Sequence, residues 1–347
     1  MTKQDKINNF DPNSVGDTTA GMFGLPFTLD ECETVLIPVP WEVTVSYSGG
    51  TANGPEAIYD ASFQVDLYDP NKKDAWKLGI GMDEINEDLH GISDTYREVA
   101  EGLIDLMSAG EDVTGSSEFA DINKACSDMN AWVKQRVLHF LKQNKTVGLI
   151  GGDHSTPLGM MQALAEHFGK FAILQIDAHA DLRIAYEGFE FSHASIMYNA
   201  LKIDNIEKLV QVGIRDYCEE ELNIINESNG RVKTFFDREI KQASYAGENW
   251  QQTCDRIVKE LPQNIYLSFD IDGLDPKLCP NTGTPVAGGF EAEQVLYLIE
   301  QVVKSGKKII AFDINEVTPG EEDEWDANVA ARLLYRIANL VMISQGK

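Results

Sequence analysis

Three short apolar runs, each followed directly by acidic or imidazole side chains, constrain the fold of this chain more than any other feature. The runs are residues 147–150, 171–176 and 265–269, and each has the length and composition of a buried strand in a parallel sheet. Polar clusters follow or overlap their ends at 151–155, 177–181 and 268–272. Because the carboxyl ends of parallel strands lie at one edge of a sheet, we expect these clusters to meet there.

The spacing within the clusters places polar side chains on a common side. Alternate residues of an extended chain face the same way, so Asp177, His179 and Asp181 can converge, as can Asp270 and Asp272. Carboxylates brought together away from water are costly unless cations neutralise them. The sequence therefore predicts a metal site. Its six candidate ligands are His154, Asp177, His179, Asp181, Asp270 and Asp272.

The ligand types narrow the choice of metal. Four carboxylates and two imidazoles without a thiolate suit Mn²⁺ better than a structural zinc site. Six ligands are too many for one ion that must also hold a reactive water, whereas two ions sharing carboxylates would use them all and hold a bridging water as nucleophile. A lone Asp-x-Asp is usually a turn or a helix cap, and a lone Gly-Gly-Asp is usually a tight turn. Three such clusters together favour the metal site.

Charge and cysteine usage exclude several classes of partner. The 56 acidic and 29 basic residues give a net charge of −27, which disfavours nucleic acid and anionic membrane surfaces as partners. The excess acid is explained either by a solubilising surface, as in salt-adapted organisms, or by steering of a cationic ligand. The polar start and the absence of a run near the ~20 apolar residues of a membrane span argue against membrane insertion. Five cysteines without a motif suit a reducing compartment, so we predict a cytoplasmic protein.

The remaining chain alternates between strand and helix patterns. No long linker or repeat divides the 347 residues, so we predict one domain at 33–347 preceded by an N-terminal extension at 1–32. The alternation predicts an α/β fold: a doubly wound, mainly parallel sheet with helices on both faces and the site at the strand C-terminal ends. The loop at 41–53 should line that site. Further strands are predicted at 34–38, 209–214, 232–236 and 308–312, and helices from residue 54 and at 94–107, 118–141, 160–167, 219–226, 251–261, 292–303 and 328–343.

The clusters also resemble the three signature motifs of the ureohydrolase (arginase/agmatinase) family. The matching segments are GGDHS at 151–155, DAHAD at 177–181 and SFDIDGLDP at 268–276, with GTPVAGG at 283–289 and EVTP at 316–319, so the likeness extends over about residues 33–342. The resemblance implies an arginase-like fold, two Mn²⁺ per subunit, with Ni²⁺ or Co²⁺ as alternatives, and a homo-oligomer, either trimer or hexamer. By similarity, His154 and Asp181 bind one ion, His179 and Asp272 bind the other, and Asp177 and Asp270 bridge the pair.

Two further residues gain a role from this resemblance. His193 lies twelve residues after Asp181 on a predicted loop, where a histidine taken alone is usually solvated. Glu316 follows the strand at 308–312, where its carboxylate is either a turn residue or an acceptor of paired N–H bonds from a guanidinium. The resemblance implies that His193 handles protons and that Glu316 orients the guanidinium, with Asp181 as a third catalytic group. It also implies substrate binding by Arg183, Glu187 and Glu316.

The implied reaction is hydrolysis of a guanidino C–N bond to urea and an amine. The runs at 181–188 and 211–215 resemble bacterial and archaeal agmatinases, which favours agmatine as substrate and putrescine as product. Two segments depart from that pattern: Ala52 stands where the family commonly has Arg, and residues 196–198 lack a common Arg. Guanidinobutyrase, guanidine hydrolase, arginase and formimidoylglutamase activities remain alternatives. So does a non-catalytic protein that binds polyamines or metal. A single-zinc, deacetylase-like enzyme is disfavoured, because it would leave the second set of ligands without a purpose.

Overall fold

A single eight-stranded sheet forms the centre of the computed structural model, which describes residues 1–321 and 323–347. The strands are β1 (Thr34–Val39), β2 (Ile80–Met82), β3 (Thr146–Gly151), β4 (Phe171–Ile176), β5 (Ile206–Val212), β6 (Val232–Phe235), β7 (Asn264–Phe269) and β8 (Lys308–Ile314). They are hydrogen-bonded in the order β2-β1-β3-β8-β7-β4-β5-β6, and every neighbouring pair is parallel. All these strands therefore end at the same edge of the sheet.

Helices cover both faces of this sheet. They are α1 (Lys3–Asn9), α2 (Gly54–Ser62), α3 (Glu87–Ser108), α4 (Ser117–Leu141), α5 (Leu158–Phe168), α6 (Ile196–Ala200), α7 (Glu219–Glu227), α8 (Asp237–Tyr245), α9 (Trp250–Glu260), α10 (Ala292–Lys304) and α11 (Trp325–Ser344). Alternate strand residues enter two different apolar cores: Val35 and Ile37 pack with α3 to α6, whereas Leu36 packs with α2 and α8 to α11. The predicted doubly wound fold is confirmed.

The structure corrects several predicted boundaries. The short edge strand β2 and the helices α1, α6 and α8 were not predicted, because segments of three to nine residues carry little periodic signal. The two helices predicted between residues 83 and 145 are present, but α3 begins at Glu87 rather than at residue 94. Its start is fixed by Asn86, whose side chain accepts a hydrogen bond from the backbone N–H of Leu89 at 3.1 Å.

The first 32 residues pack on the edge of the sheet formed by β2. Met22, Phe23 and Leu25 are buried in the core shared with α2 and α11. Lys3 donates a hydrogen bond to the Leu78 carbonyl at 2.9 Å. The segment predicted as an extension thus contributes to the main core, and its treatment as a separate unit stays a prediction. Within residues 1–321 and 323–347, no helix has the length and apolar character needed to cross a bilayer.

Candidate active site

Tight glycine packing directs the first polar cluster into the crevice at the end of β3. A Cβ on Gly152 would lie 2.0 Å from the carbonyl oxygen of Trp41, so no other residue fits there. The next residue, Asp153, donates its backbone N–H to the same Trp41 carbonyl at 2.8 Å. The loop after β1 and the turn after β3 are thereby joined, and His154 is buried.

The His154 imidazole faces three carboxylates. Its Nδ1 lies 3.1 Å from Asp177 Oδ2, 3.1 Å from Asp181 Oδ2 and 3.3 Å from Asp270 Oδ2. The Nδ1 atom is buried and makes no hydrogen bond to any described group. These atoms converge on one point at the C-terminal edge of the sheet.

The second imidazole nitrogen of His154 lies next to a hydroxyl group. Nε2 lies 3.0 Å from the Ser268 hydroxyl, which lies 3.2 Å from Asp313 Oδ1. Burial alone would lower the pKa of His154, but Asp177, Asp181 and Asp270 outweigh it and raise the pKa well above its usual range, which favours a protonated ring. A cation at this point would replace that proton, because Nδ1 of the neutral ring and the three carboxylate oxygens are a suitable donor set.

A second group forms around His179. Its Nδ1 lies 2.9 Å from Asp272 Oδ2 and 3.7 Å from Asp177 Oδ1. The backbone fixes both acids: Ala178 N–H donates to Asp272 Oδ1 at 2.9 Å, and His179 N–H donates to Asp177 Oδ1 at 2.6 Å. Asp177 is shared by the two groups, in each of which the ligand atoms lie within 4.8 Å of one another and could hold a metal ion.

The structure thus brings together all six residues predicted as ligands, which we call the floor: His154, Asp177, His179, Asp181, Asp270 and Asp272. Asp177 belongs to both groups, while Asp270 lies on the His154 side. The roles of these residues as ligands stay a prediction, taken up under the proposed function.

Without a cation, the floor concentrates charge that burial makes unfavourable. Burial and the neighbouring Asp177 carboxylate raise the pKa of Asp181 to about 7. Burial, followed by Asp272 and Asp177, raises the pKa of Asp270 well above its usual range. Burial would also raise the pKa of Asp272, but the adjacent His179 outweighs it and lowers the value to about 2. Cations would relieve the repulsion behind the raised values.

A cavity of about 480 Å³ opens above the floor. His179 and Asp181 are the floor residues that line it, together with His193. We call the rest of its lining the rim, which is built mainly from loops after several strands and includes Glu221 of α7. The rim consists of Ser46, Tyr47, Arg183, Tyr186, Ala194, Asp216, Tyr217, Glu221, Thr284, Pro285 and Val286. The loop at 41–53, predicted to line the site, contributes Ser46 and Tyr47.

The two residues predicted to act on substrate lie on different sides of the floor. His193 begins a short 3-10 turn rather than lying in an open loop, and burial with the nearby His179 and His154 lowers its pKa to about 4. Glu316 does not line the cavity: its Oε1 accepts the backbone N–H of His154 at 2.7 Å. Its Oε2 makes no hydrogen bond to any described residue. Burial, and then Asp153, raises the Glu316 pKa well above its usual range.

Three of the predicted site residues have left-handed backbone angles. Asp181 has φ +54°, Glu187 has φ +51° and Glu316 has φ +63°, values that are uncommon for residues other than glycine. Two of them are fixed by backbone hydrogen bonds: the Asp181 carbonyl accepts from Met197 N–H at 3.0 Å, and Glu316 N–H donates to the Gly152 carbonyl at 2.9 Å. Strain of this kind persists where surrounding structure over-determines it, and it clusters at functional sites.

The predicted substrate-binding residues are divided by the structure. Arg183 lines the cavity, with Nε 3.3 Å from Glu221 Oε2 and its guanidinium 5.5 Å from the centre of the Tyr186 ring. Glu221 is itself held by the N–H groups of Leu182 and Cys218 at 3.0 and 2.9 Å. Glu187, in contrast, is not among the cavity's lining residues, and its buried Oε2 has no hydrogen-bond partner in the described part of the chain.

Two kinds of residue near the site were not predicted from the sequence: Arg215, which supports the backbone around the site, and the aromatic residues of the rim. Arg215 donates to the carbonyl oxygens of Asp272, Leu274 and Val286 at 2.6, 3.1 and 3.0 Å, which joins the loop after β7 to the rim. Its position two residues before Tyr217, in a run already likened to agmatinases, was the available signal. The aromatic rim residues gave no periodic signal at all, because they lie on irregular loops.

An open parallel sheet whose C-terminal edge holds two His/Asp groups suited to metal ions is an arrangement typical of metal-dependent hydrolases. Residues 32–339 match the model of the arginase family. The chain belongs to the arginase family, and the predicted enzyme class, a ureohydrolase acting on C–N bonds of linear amidines, is confirmed.

Individual relatives match over almost the whole chain. The N(1)-aminopropylagmatine ureohydrolase of Thermus thermophilus is 29% identical over 317 residues, 91% of this chain and 93% of the relative. The agmatinase of Neisseria meningitidis is 28% identical over 338 residues, 93% of this chain and 94% of the relative. The solved structure of proclavaminate amidino hydrolase from Streptomyces clavuligerus superposes with a TM-score of 0.72 at 21% identity, covering 96% of this chain and 100% of that one.

Proposed function

We propose that this protein is an agmatinase that hydrolyses agmatine to putrescine and urea with two Mn²⁺ bound at the floor. The observation that carries the proposal is the pair of His/Asp groups that share Asp177 beneath a cavity lined by His193. Relatives named agmatinase and aminopropylagmatine ureohydrolase support a guanidino amine as substrate. With four carboxylates and two imidazoles, the donor set suits Mn²⁺, with Ni²⁺ or Co²⁺ as the next choices.

The proposed ligands divide between two positions. By the family resemblance, His154 and Asp181 would hold one ion, His179 and Asp272 would hold the other, and Asp177 and Asp270 would be shared by both. Support for the sharing comes from Asp177, which belongs to both His/Asp groups, while Asp270 Oδ2 lies 3.3 Å from His154 Nδ1. When bound, such ions lower the pKa of a coordinated water from about 15.7 toward neutrality and so provide hydroxide at ordinary pH.

The family resemblance assigns the guanidinium group to Glu316, which lies behind the lining of the cavity, so the substrate would have to reach beyond that lining. One carboxylate oxygen is occupied by the His154 N–H at 2.7 Å, which leaves Oε2 to accept an N–H from the substrate. The positive charge of a guanidinium would also offset the burial that raises the Glu316 pKa. A group fixed in this way would present its carbon at a defined position over the floor, which is the main requirement for a fast attack.

His193 is suited to carry a proton from the attacking water to the leaving amine. Burial lowers the pKa of His193 and keeps its imidazole neutral at pH 7, so a ring nitrogen has a lone pair for the proton that the reaction releases. The ring is oriented by its surroundings: Ser192 Oγ lies 3.4 Å from Nδ1, and the Tyr186 ring packs edge-on at 6.2 Å between centroids. The amine product would then leave as an ammonium ion.

The rim supports two kinds of substrate tail. Asp216 and the net charge of −27 favour the ammonium of agmatine. A specific observation favours a second candidate, a guanidino acid such as 4-guanidinobutyrate. Arg183 Nε lies 3.3 Å from Glu221 Oε2, and its terminal nitrogens make no hydrogen bond to the described residues, so they could bind a carboxylate bidentately.

A urea-release assay tests the proposal directly. Metal-free protein loaded in turn with Mn²⁺, Ni²⁺ and Co²⁺ would be given agmatine, arginine, 4-guanidinobutyrate and guanidine, with formamide release measured separately for formimidoylglutamate. We expect agmatine with Mn²⁺ to give the highest kcat/KM. Rapid turnover of another guanidine without turnover of agmatine would reject agmatine as substrate. No turnover of any of them by protein that binds two ions would favour a non-catalytic binding protein.

Two further properties belong to the same proposal. We infer a homo-oligomer, trimer or hexamer, from the family resemblance alone, and light scattering of the purified chain would measure it. A cytoplasmic location is supported by five cysteines that are all free, four of them buried, as expected for a reducing compartment.

A further inference from the structure

A row of polar side chains crosses the sheet one step below the floor. Thr234 of β6 pairs in register with Gln211 of β5, which pairs with Gln175 of β4, which pairs with Ser268 of β7. All four are buried. Strands covered on both faces normally carry apolar side chains here, as they do two residues earlier in the row Val232, Leu209, Ile173 and Tyr266.

Three members of this row form a chain of hydrogen bonds that ends on the floor. Thr234 Oγ1 donates to Gln211 Oε1 at 2.7 Å, and Gln211 Nε2 donates to Gln175 Oε1 at 2.8 Å. Gln175 Nε2 then donates to Asp177 Oδ2 at 2.7 Å. Every donor points toward Asp177, so each amide polarises the next in the direction that favours the negative carboxylate.

The direction of this chain is fixed because each amide uses both of its N–H bonds. The second N–H of Gln211 goes to the Ala180 carbonyl at 2.7 Å, and the second N–H of Gln175 goes to the His179 carbonyl at 3.2 Å. Reversing either amide would bring its oxygen against a carbonyl and a carboxylate or amide oxygen. The same two side chains therefore support the shared carboxylate and the backbone turn that carries His179 and Asp181.

We propose that Gln175, supported by Gln211 and Thr234, is a positioning residue of the metal centre. Its hydrogen bond holds Asp177 in the orientation in which this one carboxylate can serve both ions. The inference rests on the proposed two-ion site. A carboxylate oxygen that accepts from Gln175 retains a second lone pair for a cation, so the hydrogen bond and the coordination are compatible. Loss of the Gln175 donor should therefore lower the affinity for the more weakly bound ion more than it lowers the stability of the fold.

The test compares variants that remove donors at increasing distance from Asp177. Gln175→Met keeps the side-chain length and removes the donors, Gln211→Met breaks the chain one strand away, and Thr234→Val breaks it two strands away. Leu174→Met is the matched control, because it introduces the same residue on the same strand but faces the opposite core. Thr234→Ser keeps the hydroxyl. Each metal-free protein would be titrated with Mn²⁺ by calorimetry and examined by EPR for coupling between two ions.

We expect wild-type protein, Leu174→Met and Thr234→Ser each to bind two coupled Mn²⁺. The affinity for each of the two ions should be the same in all three proteins. Gln175→Met should lose about 10- to 100-fold in affinity for the weaker ion, the range typical of outer hydrogen-bond partners of metal ligands, along with the coupled EPR signal. Gln211→Met should lose less and Thr234→Val least, about 2- to 5-fold on the same scale.

The outcomes separate failure of the inference from failure of the proposed function. Wild-type protein that binds a single ion would overturn the two-ion site itself. Two coupled ions in Gln175→Met, bound as tightly as in Leu174→Met, would overturn the role of Gln175 alone. If Gln175→Met does not fold, as judged by circular dichroism, the Thr234 pair decides: equal affinities in Thr234→Val and Thr234→Ser would overturn the inference.

Discussion

The floor and the rim of the cavity are built in opposite ways. Asp177 at the floor has no exposed surface and is held by the ends of neighbouring strands, whereas Tyr47 at the rim is 78% exposed and Tyr217 is 39% exposed. Floor side chains receive hydrogen bonds from the backbone and from Gln175. Most rim side chains lie on loops, and Glu221 at the start of α7 is an exception that is buried and held by backbone N–H groups. The difference suggests a division of roles in which residues held by the sheet determine the reaction and residues on the loops determine substrate preference.

The largest effect should come from the shared floor carboxylate. Asp177→Asn removes a charge from both groups, so we expect at most one ion per chain and a fall in kcat/KM of about a thousandfold or more, since metal stabilisation supplies several kcal/mol. Metal analysis and the urea assay would measure both. Asp121→Asn, an exposed change on α4, is the control and should alter neither. Full activity in Asp177→Asn would contradict a floor that carries the chemistry.

His193 lies between the two regions and should behave differently from the floor. His193→Asn removes the proton carrier but no ligand, so kcat should fall about 10²- to 10⁴-fold while the ion content stays unchanged. Metal content measured beside kcat distinguishes these roles. Loss of an ion along with activity would show that His193 belongs to the floor.

Arg183 tests whether the rim sets substrate preference. Arg183→Met should raise the ratio of kcat/KM for agmatine over 4-guanidinobutyrate by about 10- to 100-fold, the value of a charged hydrogen bond to the carboxylate. Arg238→Met, at an exposed position on α8, should leave the ratio unchanged. An unchanged ratio in Arg183→Met would mean that Arg183 only stabilises Glu221.

The smallest effect is expected at the outer rim. Tyr217→Ala removes an aromatic ring that lines the cavity and could contact the substrate tail. Such a contact contributes about 1 kcal/mol, so KM should rise about 2- to 10-fold with kcat nearly constant. Tyr245→Ala, which removes a tyrosine that is 83% exposed at the end of α8, is the control. A large loss of kcat in Tyr217→Ala would break the distinction between floor and rim.

The same contrast explains what the sequence could predict. The floor clusters were visible because strand ends repeat polar residues at a spacing of two, and the parallel sheet brings such ends together. The rim was less predictable: Glu187 was expected in the cavity and is not among its lining residues. Gln175 and Gln211 could not be recognised, since only the strand order places them in register with each other and beneath Asp177.

The central claim is that six side chains at the edge of the sheet hold two divalent ions. Anomalous diffraction from crystals grown with Mn²⁺, recorded at the manganese absorption edge, tests it most directly. We expect two peaks per chain, one in contact with His154, the other with His179, and both in contact with Asp177. A single peak, or ions bound away from these residues, would contradict it.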